Sequence, residues 1–244
     1  HKPYYYRHNF PALQQKTQNF LYLLIDFSFY CAVSALAAQR KIWGLLFFAA
    51  LCYNAISIEN EWETAMQIGG VTIKSGLALA PMAGVTDAAF REVCSRLGAG
   101  LTCTEMVSSK ALCYQDKKSR VLLRPFPDEH PLQAQIFGSD PVCMAEAAQI
   151  ALEASGADII DVNMGCPVGK IVNNGDGSAL MRDPEKAARV AEAVVKAVSV
   201  PVTVKMRRGW DKGSLNAPEL ARLLESVGVA AVTVHGRTRV QMYG

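Results

Sequence analysis

No two of the seven cysteines in this chain form a CxxC pair, and none has a histidine close to it in sequence. That argues against a zinc site, and no other metal-ligand spacing takes its place. An odd number of scattered cysteines reads as reduced thiols of a cytosolic protein rather than a disulfide framework. No GxGxxG motif follows any apolar run, so nothing marks a dinucleotide fold. A dominant charge is also missing. The formal net charge is only +3, too small to argue for or against a nucleic-acid partner. Nor is there a methionine before Met66. What the 244 residues do have is apolar material, half of the total, enough for one large domain or two small ones.

Residues 1–65 differ in character from the rest. They hold two apolar runs, 20–38 and 42–58, separated by Gln39-Arg40-Lys41, and the first carries Asp26. Each run is near the length that crosses a bilayer. Taken as native, they predict a helical hairpin anchor with its basic turn on the cytoplasmic side, and so a membrane partner. Taken with the position of Met66, they predict a foreign extension, misassigned upstream coding sequence. Fold reasoning therefore starts at Met66.

From there a repeat appears. Short apolar runs predict strands at 77–80, 101–106, 131–137, 158–162, 201–206 and 230–234. Helical patterns lie between them. Asp87, Asp140 and Asp183 are N-cap candidates, Pro184 stands at a favoured first position, and Gly98 and Gly156 are stops. Continuous apolar strands alternating with helices imply a parallel sheet covered on both faces. Six units with no sign of strand-order reversal predict an α/β fold, a (β/α)8 TIM barrel left incomplete at about six units.

In such a barrel the site lies at the C-terminal ends of the strands. The first predicted strand ends in Pro81-Met82-Ala83-Gly84 and the second in Glu105. The third carries Gln133 and Gln135 on one side. The fourth leads into Asn163-Met164-Gly165-Cys166-Pro167, where glycine and proline end the strand and present a thiol on a turn. The fifth supplies Lys205 and Arg207, and the sixth ends in His235-Gly236-Arg237. Each has an ordinary explanation alone: a satisfied core amide, a solvated lysine, a buried structural cysteine. Their arrival at the same end of consecutive strands is what those explanations do not cover. There is no paired-carboxylate arrangement for glycoside hydrolysis. Lysine and histidine with amides suit an electron-rich anionic cofactor, and a neighbouring thiol suits a proton donor, the combination of a flavin barrel.

At these residues the chain resembles the tRNA-dihydrouridine synthases, most of all their bacterial B-type branch. The resemblance rests on five motifs. They are residues 79–87 (LAPMAGVTD), 133–138 (QAQIFG), 161–167 (DVNMGCP), 204–207 with Gly209-Trp210 (VKMR…GW) and 234–238 (VHGRT). These run in family order from Met66 onward, whereas residues 1–65 have no counterpart. The resemblance implies an enzyme that uses FMN, with NADPH as electron donor, to reduce uridine in tRNA to 5,6-dihydrouridine. It implies that Cys166 protonates C5 while hydride reaches C6. It places Pro81, Met82, Ala83, Gln135, Lys205 and His235 on the cofactor, and Asn163 and Arg207 toward the substrate. It also implies that the closing barrel strands and a helical tRNA-binding domain belong to the family pattern beyond Gly244.

Three rivals remain at this level. A flavin barrel acting on a free pyrimidine, of the dihydroorotate dehydrogenase kind, shares the Asn-x-x-Cys-Pro pattern. A membrane-anchored binding protein follows if residues 1–65 are native. An inactive fragment is the third.

Overall fold

The structure is a computed structural model that describes residues 65–241 and, as backbone, residues 21–25. Its strands in chain order are β1 (Leu21–Ile25), β2 (Met66–Ile68), β3 (Val71–Ile73), β4 (Thr102–Cys103) and β5 (Val107–Ser108), then β6 (Leu132–Phe137), β7 (Ile159–Met164), β8 (Val202–Arg207) and β9 (Ala231–His235). The helices are α1 (Ala88–Arg96), α2 (Ser109–Cys113), α3 (Lys117–Leu122), α4 (Pro141–Ser155), α5 (Gly169–Val172), α6 (Pro184–Ala197) and α7 (Ala217–Ser226), with a 3₁₀ turn at Gly177–Arg182.

The main sheet runs β4–β6–β7–β8–β9 with every pair parallel. Spatial order follows chain order with no reversal, the pattern of a barrel and not of a doubly wound sheet. The fold is an incomplete TIM barrel. Four helices start where an aspartate accepts a backbone N–H three residues on: the expected Asp87 from Phe90, Asp140 from Cys143 and Asp183 from Lys186, and also Asp116 from Ser119. Gly156, left-handed at φ 62°, ends α4 as predicted.

Side-chain alternation divides the sheet into an apolar outer face and a polar inner one. Ile136, Val162, Val204 and Val232 face outward and pack against Met144 and Ala151 of α4, Val190 of α6 and Leu220 of α7 in one continuous core. Each such aliphatic side chain, fully buried, contributes about 1.5–3 kcal/mol. The inward positions Gln133, Gln135, Asp161, Asn163, Thr203 and Lys205 are polar. At the base the β2–β3 hairpin closes the barrel, packing Ile68 and Ile73 against Leu101, Ile159 and Ala231.

Two predicted strands differ. Residues 77–80 are reduced to a single bridge, Ala78 to Leu101, with Leu79 donating to the Leu101 carbonyl. Pro81 then removes the next donor. Of the run at 101–106 only Thr102–Cys103 is strand, as β4, and pairing resumes just beyond the run as β5. Cys103 faces Gln133 and Val107 faces Ile136, so four residue steps oppose three, a bulge of one residue.

In the N-terminal segment, Leu21–Ile25 is a strand pairing in parallel with β9, so at those residues the predicted helix is replaced by a segment that uses the edge of β9. The rest of the hairpin-anchor and foreign-extension readings lies outside the described residues. Among the described residues no helix is long and apolar enough to cross a membrane.

Candidate active site

Strand register sets the inner polar residues in rows. Gln135 pairs with Asp161, Asp161 with Thr203, and Thr203 with Ala231. One step higher, Asn163 pairs with Lys205 and Lys205 with Thr233, and above them Arg207 pairs with His235. The residues singled out on strands β6 to β9 therefore do converge.

Hydrogen bonds join these rows. Asp161 accepts from Thr203 Oγ1 and Gln135 Nε2, each at 2.6 Å, and from Gln133 Nε2 at 3.4 Å. Gln135, with 0 % exposure, turns its Oε1 to accept from Asn163 Nδ2 at 2.9 Å. Asn163 Oδ1 then accepts the backbone N–H groups of Gly165 at 3.1 Å and Cys166 at 2.9 Å. A carboxylate accepts only, so Asp161 decides which end of each amide faces which way. The chain of orientation ends at the cysteine loop.

The same loop is held from other directions. Arg207 donates from Nε to the Gly165 carbonyl at 2.7 Å and from Nη1 to the Thr238 carbonyl at 3.0 Å, bracing the loop after β7 to the loop after β9. The Cys166 carbonyl accepts from Ser178 N at 3.1 Å. Gly177 packs there at φ +59°, where a Cβ would meet the Cys166 carbonyl oxygen at 2.9 Å. Only glycine fits that approach.

Cys166 is 8 % exposed. Burial pushes its thiol above the ordinary range, opposed by a backbone hydrogen bond from Val168 and the charges of Arg207 and Lys205. The thiol is therefore held protonated at neutral pH. Burial lowers the Lys205 ammonium, an effect that Arg207 reinforces and Asp161 opposes. Burial likewise raises Asp161, against hydrogen bonds from Thr203 and Gln135 and the charge of Lys205.

The first strand's loop completes the mouth. Met82 N donates to Thr86 Oγ1, and Val85 and Thr86 donate to the Met82 carbonyl, so residues 81–86 form a closed turn. Pro81 lines a cavity of about 30 Å³ together with Ala80, Gln133, Asp161, Thr203 and Lys205. Ala83 is exposed, and Met82 and His235 are half-buried. Glu105, re-aimed by the bulge, accepts the Gly84 N–H and so ties this turn to the second strand. Behind it, buried Arg91 pairs with Glu129 at 2.7 Å and donates to the Thr86 and Arg124 carbonyls.

The family pattern of dihydrouridine synthase (Dus) matches residues 78–244. The chain belongs to the dihydrouridine synthase family. It is 48% identical over 180 residues to tRNA-dihydrouridine synthase B of Pseudomonas aeruginosa, covering 74% of this chain and 54% of that protein. It is 50% identical over 173 residues to a probable tRNA-dihydrouridine synthase of Rhizobium leguminosarum bv. phaseoli, covering 71% and 54%. A probable tRNA-dihydrouridine synthase of Rickettsia conorii is 48% identical over 181 residues, 73% and 54%. The chain thus spans about half the length of the curated relatives it matches.

In this family member the donor set fits the polar edge of a flavin ring. Lys205 reaches the cavity that Pro81 lines, and its ammonium makes no hydrogen bond to any described residue. Its amine stands on the concave face of the open, incomplete barrel, close enough for Asp161 and Cys166 to act on its charge. Gln135, by contrast, spends one donor and one acceptor on Asp161 and Asn163, so it acts chiefly by orienting Asn163. Sequence reading placed Asp161 in the motif at 161–167 without a role and did not single out Thr203. The signal was there in the alternation, because residues 161 and 163, and 203 and 205, share a face. Among the described residues no group of three or more His, Cys, Asp or Glu side chains is placed to hold a metal ion.

Proposed function

We propose that this chain carries the reducing site of a tRNA uridine reductase that forms 5,6-dihydrouridine. The observation that carries the reading is the Cys166 thiol, pinned through its backbone N–H, beside a Lys205 whose charge acts on it. The relatives named above are one tRNA-dihydrouridine synthase and two probable ones, and the family membership supports the same substrate here.

FMN, when bound, would supply the hydride for C6 of the uracil ring, with NADPH as the source of electrons. Lys205 would hold the electron-rich edge of the flavin ring, with the turn at Pro81, Met82 and Ala83 flanking the flavin and His235 at the rim. Cys166 gives its proton to C5, and burial serves this role by keeping the thiol undissociated until it is used. Asn163 fixes the position of that donor through the Cys166 N–H, and Gln135 fixes Asn163. Arg207 keeps the thiol loop and the β9 loop together on the substrate side. The uridine has to leave its stack to reach a thiol below the rim. An enzyme acting on tRNA in this way works in the cytoplasm.

The test is to incubate the full protein with FMN, NADPH and unmodified tRNA transcript, and to read dihydrouridine by mass. Orotate and dihydroorotate run in parallel. Dihydrouridine in the transcript supports the reading. Turnover of the free pyrimidines with none in tRNA would end it.

A further inference from the structure

Three loops that follow β7, β8 and β9 bring an indole and two guanidinium groups together on the rim that also carries Cys166. Arg182, at the end of the 3₁₀ turn, lies with its Cζ 4.8 Å from the centre of the Trp210 ring. Arg239, in the loop after β9, lies 4.9 Å from the same centre. The loops are tied to one another: Asn216 Nδ2 donates to the Met181 carbonyl, and Arg239 and Val240 donate to the carbonyls of Gly209 and Trp210. Gly209 lets its own loop close tightly, since a Cβ there would overlap the Ser214 carbonyl oxygen.

Among the described residues neither cation has a carboxylate partner. The four ion pairs among the described residues lie elsewhere, at Arg91–Glu129, Arg96–Glu92, His130–Asp158 and Lys196–Glu192. The Nε atoms of Arg239 and of nearby Arg208 are buried without a hydrogen-bond partner among the described residues. Leu215 and Val240 stand exposed on the same loops. Two guanidiniums packed against one indole, short of counter-charge and beside exposed apolar side chains, suit an anion attached to flat, stackable groups. Stacking fixes each guanidinium plane and leaves its N–H edge free for bidentate contact with phosphate.

We propose that Trp210, flanked by Arg182 and Arg239, is a phosphodiester-binding rim that grips the RNA backbone next to the extruded uridine. This rests on the proposed tRNA substrate and adds the place where its backbone is held. Binding through such contacts releases condensed counterions, so it weakens linearly with the logarithm of salt concentration.

The experiment measures affinity of the full, FMN-loaded protein for unmodified tRNA transcript across a salt titration, by fluorescence anisotropy. Arg182→Ala and Arg239→Ala are each expected to weaken binding about tenfold and to reduce the steepness of the log–log slope by about 0.9. Trp210→Phe should retain binding better than Trp210→Leu, with flavin absorbance and circular dichroism confirming the fold of every variant. An Arg182→Ala/Arg239→Ala double variant with unchanged affinity and slope overturns the rim, and if the parent protein forms dihydrouridine the proposed reaction survives that result. If the parent forms none but binds transcript through these arginines, the rim stands and the reaction falls. A parent that neither binds nor modifies tRNA ends both.

Discussion

Asn163 Oδ1 accepts the backbone N–H of Cys166 at 2.9 Å, yet the group that turns that oxygen toward the thiol loop is Asp161, two amides away. The carboxylate orders Gln135, Gln135 orders Asn163, and Asn163 holds the turn. A buried polar network of this kind is rigid only when every member is satisfied.

Replacing Asp161 with Asn tests this directly. One acceptor oxygen becomes an NH₂ group facing donors from Thr203 and Gln135. The expected cost is about 1–3 kcal/mol of stability, read by denaturant unfolding. The rate of Cys166 alkylation by iodoacetamide should also change, because the loop loses its fixed amide. An unchanged rate and unchanged stability would show that the orientation of Asn163 does not depend on Asp161.

Cys166→Ala should keep flavin binding and lower uridine reduction by about 10²–10⁴-fold, read as dihydrouridine formed per flavin. The pH profile carries a second check. Since burial raises the thiol, the acid form persists to higher pH than for a free cysteine, and activity should fall only as pH climbs through that raised value. A decline beginning below the ordinary thiol range would contradict the assignment.

Lys205→Met removes the one cation that both reaches the cavity and makes no hydrogen bond to a described residue. Flavin affinity, followed by absorbance on titration with FMN, should drop by about tenfold or more. The same change withdraws a charge that holds Asp161 down, so Asp161 should titrate at higher pH still. Equal FMN affinity in the variant and the parent would remove Lys205 from the cofactor.

Glu129→Gln leaves Arg91 charged and buried with half of its support gone. Both side chains are essentially inaccessible, at 0 % and 1 %, and Glu129 also accepts from Thr102 Oγ1 and Phe126 N. Breaking such a pair costs about 3–5 kcal/mol. Because Arg91 holds the Thr86 carbonyl at the end of the turn at residues 81–86, flavin retention should fall together with the melting temperature. A stable variant that loses no flavin would separate this pair from the site.

Gly177→Ala should act on the thiol loop from the other side. Its Cβ would press on the Cys166 carbonyl and on Ile171 Cγ2 at 3.0 Å, in a left-handed conformation. A cost of about 1–3 kcal/mol and a slower reduction are expected, measured by unfolding and by single-turnover flavin oxidation with tRNA. A variant as stable and as fast as the parent would mean that the loop yields without consequence.

Much of this was legible before the fold. Asp87, Asp140 and Asp183 announced helix starts because a cap is a local hydrogen bond within three residues. Gly165 and Pro167 announced a strand's end, and with it a thiol on a turn, because both act through their own backbone. The alternation of short apolar runs with helices announced a parallel barrel for the same kind of reason.

What tertiary structure alone decided lies in contacts between residues far apart in the chain. Gln135 meets Asp161 across 26 positions, Thr203 meets Asp161 across 42, and Arg207 reaches Thr238 across 31. Strand register chooses those partners, and a shift of one residue would turn every one of them to the opposite face. The bulge that re-aimed Glu105, and the loops that stacked Arg182 and Arg239 on Trp210, belong to the same class. Local chemistry set where the elements begin and end and which groups the strand ends offer. Packing of the sheet determined which of those groups touch, and hence that a single buried carboxylate governs the cysteine.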